Sequence, residues 1–282
     1  MIGDLHCHTK LSDGSMSIDD VLFYAKRAGL DFVGITDHDT MAGLTRAAII
    51  GKRLGIGVVP GVEFSCYDYK RSRKVHLLCY YPLHPDRLEG ICAHTNELRQ
   101  KAGQEMLTRV MRLYPITAEH VLRYSSGSKA IYKPHIMSAL MDLGYCAQIY
   151  GDTYRQLFDP VAGQCYQPID YPDIFQVAQV VQQSGGIGVL AHPGVYRSFE
   201  VGEELAAAGL LDGLERYYPR CKREDWLWIE GMLERYPDLI ATGGTDFHGY
   251  YAPDPNPLAT CITDEENLSK LFKRKRERRK GN

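Results

Sequence analysis

Residues 3–36, GDLHCHTKLSDGSMSIDDVLFYAKRAGLDFVGIT, read as strand, helix, strand, and that order decides the fold. The first six residues form a short strand in which side chains two apart share a face. His6 and His8 therefore point one way, and Leu5 and Cys7 the other. Two adjacent imidazoles suit a metal better than an apolar core. Ser17 caps a helix over 18–28, and Gly29 stands just past its end. Residues 31–36 then read as a buried strand.

Working outward, a helix is expected over 42–54 and strands over 57–62 and 75–81. Farther along, helices over 173–184, 199–208 and 223–235 alternate with strands over 187–191, 213–217 and 239–243. This alternation predicts an α/β fold with a parallel sheet or barrel. The stretch 86–172 breaks the pattern. It reads as helices over 88–114, 118–124, 134–143 and 154–158 without a convincing strand. The expected organisation is a catalytic barrel built from 1–85 and 173–282, carrying a helical lid, 86–172, as an insertion.

The 282 residues are 44% hydrophobic and 24% charged, ordinary for a globular protein, and the net charge of -2 gives no global basic field for nucleic acid. The basic run 273–280, KRKRERRK, reads as a solvated, frayed end. No apolar run approaches the ~20 residues of a membrane span, and no secretory pattern opens the chain. The eight cysteines include no C-x-x-C pair. They read as reduced thiols, which points to the cytoplasm.

Chemistry concentrates where the proposed strands end. There stand His6 and His8, then Asp37-His38-Asp39, then Glu63. His76 lies within the fourth strand. His192 and Asp246-Phe247-His248 end two later ones. In an α/β barrel these ends meet on one face. So many His and carboxylate groups exceed one tetrahedral zinc site and imply two or three metals with carboxylate bridges. Neighbouring divalent ions acidify a bound water and clamp the oxygens of an in-line displacement at phosphorus. No cysteine joins the pattern, and neither a P-loop nor a G-x-S-x-G is present.

Asp4-Leu5-His6-Cys7-His8-Thr9, Ser12-Asp13-Gly14, Ile35-Thr36-Asp37-His38-Asp39, Gly61-Val62-Glu63, Val75-His76-Leu77-Leu78, Ala191-His192-Pro193-Gly194 and Thr245-Asp246-Phe247-His248 resemble, in order, the motifs of the PHP (polymerase and histidinol phosphatase) family. The resemblance implies a distorted (β/α)7 barrel with a trinuclear centre of manganese, iron or zinc. It implies that His6, His8, Glu63 and Asp246 hold a first metal. Glu63 would bridge to a second held by His76 and His192, and Asp13, His38 and His248 would hold a third. Asp246, His192 and His248 are the expected catalytic residues, the two histidines as candidate proton donors to the leaving group.

Within the family the chain looks most like stand-alone phosphoesterases with a helical lid. The implied reaction is hydrolysis of a phosphomonoester, AMP or a 3',5'-bisphosphonucleoside, by a metal-bound hydroxide. Lys133-Pro134-His135 stands where such relatives often have Arg-x-His. Lys133 and His135 at a helix N-terminus, with Arg197, are the expected phosphate contacts. Three other readings remain: an exonuclease on short oligonucleotides, a histidinol phosphate phosphatase and a non-catalytic metal-binding module. The expected partner is a small phosphorylated substrate, with no membrane, and with nucleic acid only as a short oligonucleotide.

Overall fold

The computed structural model describes residues 1–281. Their seven strands pair in sequence order: β1 (Gly3–Cys7), β2 (Phe32–Ile35), β3 (Gly57–Asp68), β4 (Arg73–Tyr80), β5 (Ile187–Leu190), β6 (Gly213–Tyr217) and β7 (Ile240–Gly243). The sheet curls until its edges meet. His8 N donates to Phe247 O at 2.8 Å, and Phe247 N donates to His6 O at 3.2 Å. The result is a nearly closed, seven-stranded α/β barrel.

The helices are α1 (Ile18–Arg27), α2 (Leu44–Leu54), α3 (Asp86–Leu113), α4 (Ala118–Leu122), α5 (Lys133–Asp142), α6 (Asp152–Phe158), α7 (Ile174–Gln183), α8 (Pro193–Tyr196), α9 (Phe199–Ala207), α10 (Arg223–Arg235) and α11 (Glu265–Lys280). The expected cap forms at α1. The Ser17 side chain accepts from Asp20 N, and Asp20 answers the Ser17 N–H, so two orphan donors are satisfied. This fixes the helix phase that buries Ile18, Val21, Leu22 and Ala25 against the sheet.

One strand departs from the parallel expectation. β3 runs on to Asp68 rather than stopping at 62, and β4 returns antiparallel beside it, then pairs antiparallel with β5. Four residues separate β3 from β4, too few for the crossover that a parallel pair needs. Asp68 Oδ1 instead accepts from Lys70 N and Arg71 N and closes a hairpin. The reversal places His76 opposite Ser65 and brings it to the mouth that holds Glu63.

The second correction concerns the basic end, which is an ordered helix. Leu268 and Leu271 of α11 are fully buried in the cluster beneath β5 and β7. Arg274 and Arg278 both bind the Asp212 carboxylate. Asp264 caps the helix by accepting from Asn267 N.

Residues between 102 and 169 pack together around Met106, Val110, Ile136, Met137, Leu140 and Phe158, joined by Tyr251, while Leu88 and Cys92 of α3 pack in the core with β3 and β4. α3 passes close to this layer because residue 103 is glycine. A Cβ there would stand 2.3 Å from Ile131 O.

Candidate metal centre

β1 delivers two histidines to one face, and they converge until His6 Nε2 and His8 Nε2 are 3.1 Å apart. Both side chains are fully buried. Gly244 makes room, since a Cβ there would lie 2.3 Å from His6 Cβ. Glu63, also fully buried, stands between five imidazoles. Its Oε1 meets His76 Nδ1 at 2.8 Å and His192 Nε2 at 3.0 Å. Its Oε2 lies 3.2 Å from His6 Nε2, 3.1 Å from His8 Nε2 and 3.2 Å from His38 Nδ1.

Asp246 Oδ1 approaches His6 and His8 at 3.4 and 3.3 Å. Asp13 Oδ1 approaches His248 Nε2 at 3.3 Å and His8 Nδ1 at 3.7 Å, while its Oδ2 is 3.9 Å from His38 Nε2.

The structure therefore gathers all nine residues expected to bind metal. His6, His8, Glu63 and Asp246 form one close group, matching the first expected set. His8, Asp13, His38 and His248 form another, the third set with His8 added. His38, Glu63 and His76 form the last. His192 reaches this region through Glu63 Oε1 rather than by joining that group.

These atoms crowd without satisfying one another. Asp13 Oδ1, His38 Nδ1, Glu63 Oε2 and His192 Nδ1 are buried and have no hydrogen-bond partner. Orphaned buried lone pairs are costly, and so many in one place suit cations between the ligands. The charges lean the same way. Burial alone would raise the carboxyl groups of Glu63, Asp246 and Asp13. The imidazoles around them outweigh it and hold all three well below the usual range. Burial opposes the imidazolium of His8, but Asp246 and Glu63 carry it up to about 10. His38 shows burial winning, and its pKa is well below the ordinary value.

The backbone is strained at two of the expected ligands and beside a third. Asp39, His192 and Asp246 have φ of 52°, 25° and 48°, although none is glycine. Such residues persist where the surroundings over-determine them, at about 1–3 kcal/mol each.

Around this centre lie buried carboxylates whose roles differ from their apparent positions in sequence. Asp37 adjoins His38 but acts elsewhere. It accepts from Thr9 N and Ser12 Oγ, each at 2.7 Å, and Ser12 Oγ faces His8 Nδ1 at 3.4 Å. Asp4 accepts from Thr245 N and Oγ1 and so braces the turn carrying Asp246. Glu215 is fully buried. Its Oε1 accepts from His6 Nδ1 at 3.0 Å, which leaves Nε2 for ligation, and its Oε2 accepts from His192 N at 2.6 Å.

The expected substrate contacts separate. Lys133 lines a cavity of about 190 Å³ that opens on Asp13, His38 and His76. Its Nζ sits 4.8 Å from the Tyr166 ring centre. His135 is buried in the first turn of α5, its Nδ1 accepting from Tyr132 N at 3.2 Å, and it does not line that cavity. Arg197 is exposed and faces a different groove beside Glu200 and Arg220. Its long side chain follows a left-handed turn, φ 54°, that carries it outward.

Arg99, on α3, carries no motif and is buried. Nη2 donates to Asp39 at 2.6 Å and to Ser65 Oγ at 2.8 Å, and Nη1 donates to Tyr171 at 3.2 Å. The signal was present. Cys92, Asn96, Arg99, Gly103, Met106 and Val110 fall on one helical stripe, and all are buried. Lys74, Tyr132 and Tyr171 also line the cavity and carry no motif. All eight cysteines are free thiols. Among the described residues no helix is long and apolar enough to cross a membrane.

Comparison with known proteins agrees with this geometry. The PHP domain model matches residues 4–158, more than half of the chain. A phosphoribosyl 1,2-cyclic phosphate 1,2-diphosphodiesterase of Eggerthella lenta is 38% identical over 91% of this chain and 97% of its own. The 5'-3' exoribonuclease Rnm of Salmonella typhimurium is 31% identical over 88% of this chain and 85% of its own. The structure of a candidate metal-dependent phosphoesterase from Bifidobacterium adolescentis superposes with a TM-score of 0.86 at 30% identity, covering 96% of both chains. By motif order, by fold and by the site they build, the chain belongs to the PHP domain family and is a metal-dependent phosphoesterase.

Proposed function

We propose that this phosphoesterase hydrolyses a phosphoester carried on a single ribose unit, with AMP and a 3',5'-bisphosphonucleoside as first substrates. The observation behind this reading is the cavity of about 190 Å³ between the histidine cluster and the helical layer. Tyr132, Tyr150, Tyr154, Tyr166 and Tyr171 line it and offer faces to a sugar or base. Long single strands need an open groove instead. Residues 86–172 are read here as the lid over a barrel formed by 1–85 and 173–282.

Three divalent ions fit the orphaned donor set. His6, His8, Glu63 and Asp246 would hold one, Glu63, His76 and His192 a second, and Asp13, His38 and His248 a third. Manganese, iron and zinc all suit His/carboxylate ligation. When bound, such ions supply Lewis-acid charge for the phosphoryl oxygens and make a water nucleophilic near neutral pH.

The chain's own residues do the rest. Glu215 fixes the His6 tautomer. The His248 Nδ1–H donates to Asp246 O at 2.7 Å, which turns its Nε2 toward Asp13. Lys133 holds the far end of the substrate. The protein works in the cytoplasm, on a small phosphorylated ligand.

The resemblance to the Eggerthella diesterase favours a second reading, opening of a phosphoribosyl 1,2-cyclic phosphate, which places the same ribose in the same cavity. A manganese-supplemented panel separates the alternatives. It comprises AMP, 3',5'-bisphosphoadenosine, phosphoribosyl 1,2-cyclic phosphate, histidinol phosphate, p-nitrophenyl phosphate and 5'-phosphorylated oligonucleotides. A single-ribose ester should give the highest kcat/KM. Preference for long oligonucleotides or histidinol phosphate contradicts the proposal.

A further inference from the structure

Each imidazole of the proposed metal centre has to be aimed, and His192 lacks the device that His6 and His248 use. A metal-bound histidine is usually oriented by a hydrogen bond to its other ring nitrogen. His6 has Glu215 on Nδ1, and His248 has Asp246 O. His192 turns Nε2 to Glu63 Oε1 at 3.0 Å, while its Nδ1 is buried with no partner among the described residues. The rings of His6 and Tyr196, each 5.6 Å away between centres, pack against it without hydrogen-bonding. The aim of His192 is left to its backbone. That backbone stands at φ 25° and ψ 62°, which a residue other than glycine keeps only where its surroundings enforce it.

The enforcement comes from β6 and the loop after it. Glu215 Oε2 accepts from His192 N at 2.6 Å. Pro193 follows and has no N–H to hold. The next amide is taken by Tyr218, just past the end of β6, whose Oη accepts from Gly194 N at 3.0 Å. Tyr218 is 3% exposed and packs in the cluster with Val62, Leu190 and Leu214, so its ring is fixed. Its own O–H is hydrogen-bonded to the Cys221 side chain, which leaves an oxygen lone pair for Gly194. Residue 194 must be glycine for this approach. A Cβ there would lie 2.6 Å from Tyr218 Oη and 2.1 Å from Asp225 Oδ2, and Asp225 is itself fixed by accepting from Lys222 N at 2.9 Å. For packing alone, phenylalanine would fill the same space as Tyr218. What the hydroxyl adds is the hold on Gly194.

We propose that Tyr218 is a positioning residue for His192. Together with Glu215 it clamps the turn 192–194 so that His192 Nε2 stays directed at the Glu63 carboxylate, and it thereby sets the affinity of the ion that Glu63, His76 and His192 would share. This rests on the three-ion reading above. Tyr218 acts through the Gly194 amide and touches neither that ion nor the substrate.

Tyr218→Phe keeps the ring and deletes the hold. Manganese-loaded wild type and variant are titrated with a chelator, and the equivalents retained are counted. One equivalent should bind about ten- to a hundredfold more weakly in the variant, and the others as in the wild type. Hydrolysis of p-nitrophenyl phosphate at limiting manganese should fall through kcat rather than KM, and excess manganese should restore it. A tyrosine with only a structural role would instead lower the melting temperature and leave a loss that manganese does not repair. Gly194→Ala drives a methyl into the same contact from the other side. It should weaken the same equivalent, and adding Tyr218→Phe to it should cost little more.

A second measurement needs neither metal nor turnover. In chelator-treated protein the Gly194 amide should exchange with solvent faster in Tyr218→Phe than in the wild type. Equal exchange, equal retention of every equivalent, or a loss of turnover that excess manganese leaves in place overturns the positioning role. A wild type that keeps a single equivalent refutes the three-ion reading itself, and the role of Tyr218 falls with it.

Discussion

Replacing Arg99 by methionine breaks the polar tie between the lid helix and the barrel mouth. The guanidinium is 8% exposed and its partner Asp39 is fully buried. Three side-chain contacts disappear: to Asp39 at 2.6 Å, Ser65 at 2.8 Å and Tyr171 at 3.2 Å. Most of the cost falls on the carboxylate left behind. Asp39 keeps only Ser65 as a donor to its side chain, through the N–H at 3.2 Å and the hydroxyl, and sits on a strained backbone with φ 52°. Burial already raises its pKa, and Arg99 is the charge that counters it. Breaking a buried pair from one side costs about 3–5 kcal/mol. Methionine keeps most of the apolar stem between Tyr132 and Tyr171, so little of that loss is packing. Urea denaturation should show Arg99→Met destabilised by that amount. Asp39→Asn in the Arg99→Met background should recover at least about 1 kcal/mol, because it removes the stranded charge. A cost under about 1 kcal/mol, or strictly additive single and double variants, refutes the claim that this pair pins the lid.

Burial and the neighbouring Lys74 push the Lys133 ammonium down to about 8. It is charged below that pH, so kcat/KM for a bisphosphate should fall as pH rises through about 8, and Lys133→Arg should move that limb upward. Asp13→Ala should lower turnover at least about a hundredfold with an unchanged circular dichroism spectrum, and an unchanged rate would return Asp13 to a turn role. Glu215→Gln should weaken metal retention about ten- to a hundredfold through His6, measured by chelator competition; retention equal to wild type would remove Glu215 from that role. Deleting residues 265–280 exposes two leucines worth about 1.5–3 kcal/mol each, so the truncated chain should unfold at lower urea, and an unchanged midpoint would make α11 an accessory.

What the sequence made legible followed from local rules. Ser17 and Gly29 bracket a helix because capping and left-handed turns are decided by one or two residues. His6 and His8 share a face because strand periodicity is two. Motif order then located the other ligands. What stayed hidden depended on contacts distant in sequence. β4 reverses because a four-residue hairpin replaces a crossover. Composition made the end at 273–280 look like a solvated tail. Asp212, about sixty residues earlier, neutralises two of its arginines, and Leu268 and Leu271 anchor it. Arg99 belongs to no motif, though its place on the buried stripe of α3 was readable. Asp37 stands beside His38 in sequence and serves His8 in space, by way of Ser12. Lys74 carries no motif, and only the fold brings it to the wall of the cavity that Lys133 also lines.

The central claim is that nine buried or half-buried ligands hold more than one metal. Elemental analysis of protein reconstituted with manganese, iron or zinc tests it most directly. The account predicts up to three equivalents per chain, falling by about one in Asp13→Ala while the Glu63 group keeps its ions. One equivalent or none per chain after reconstitution would contradict it.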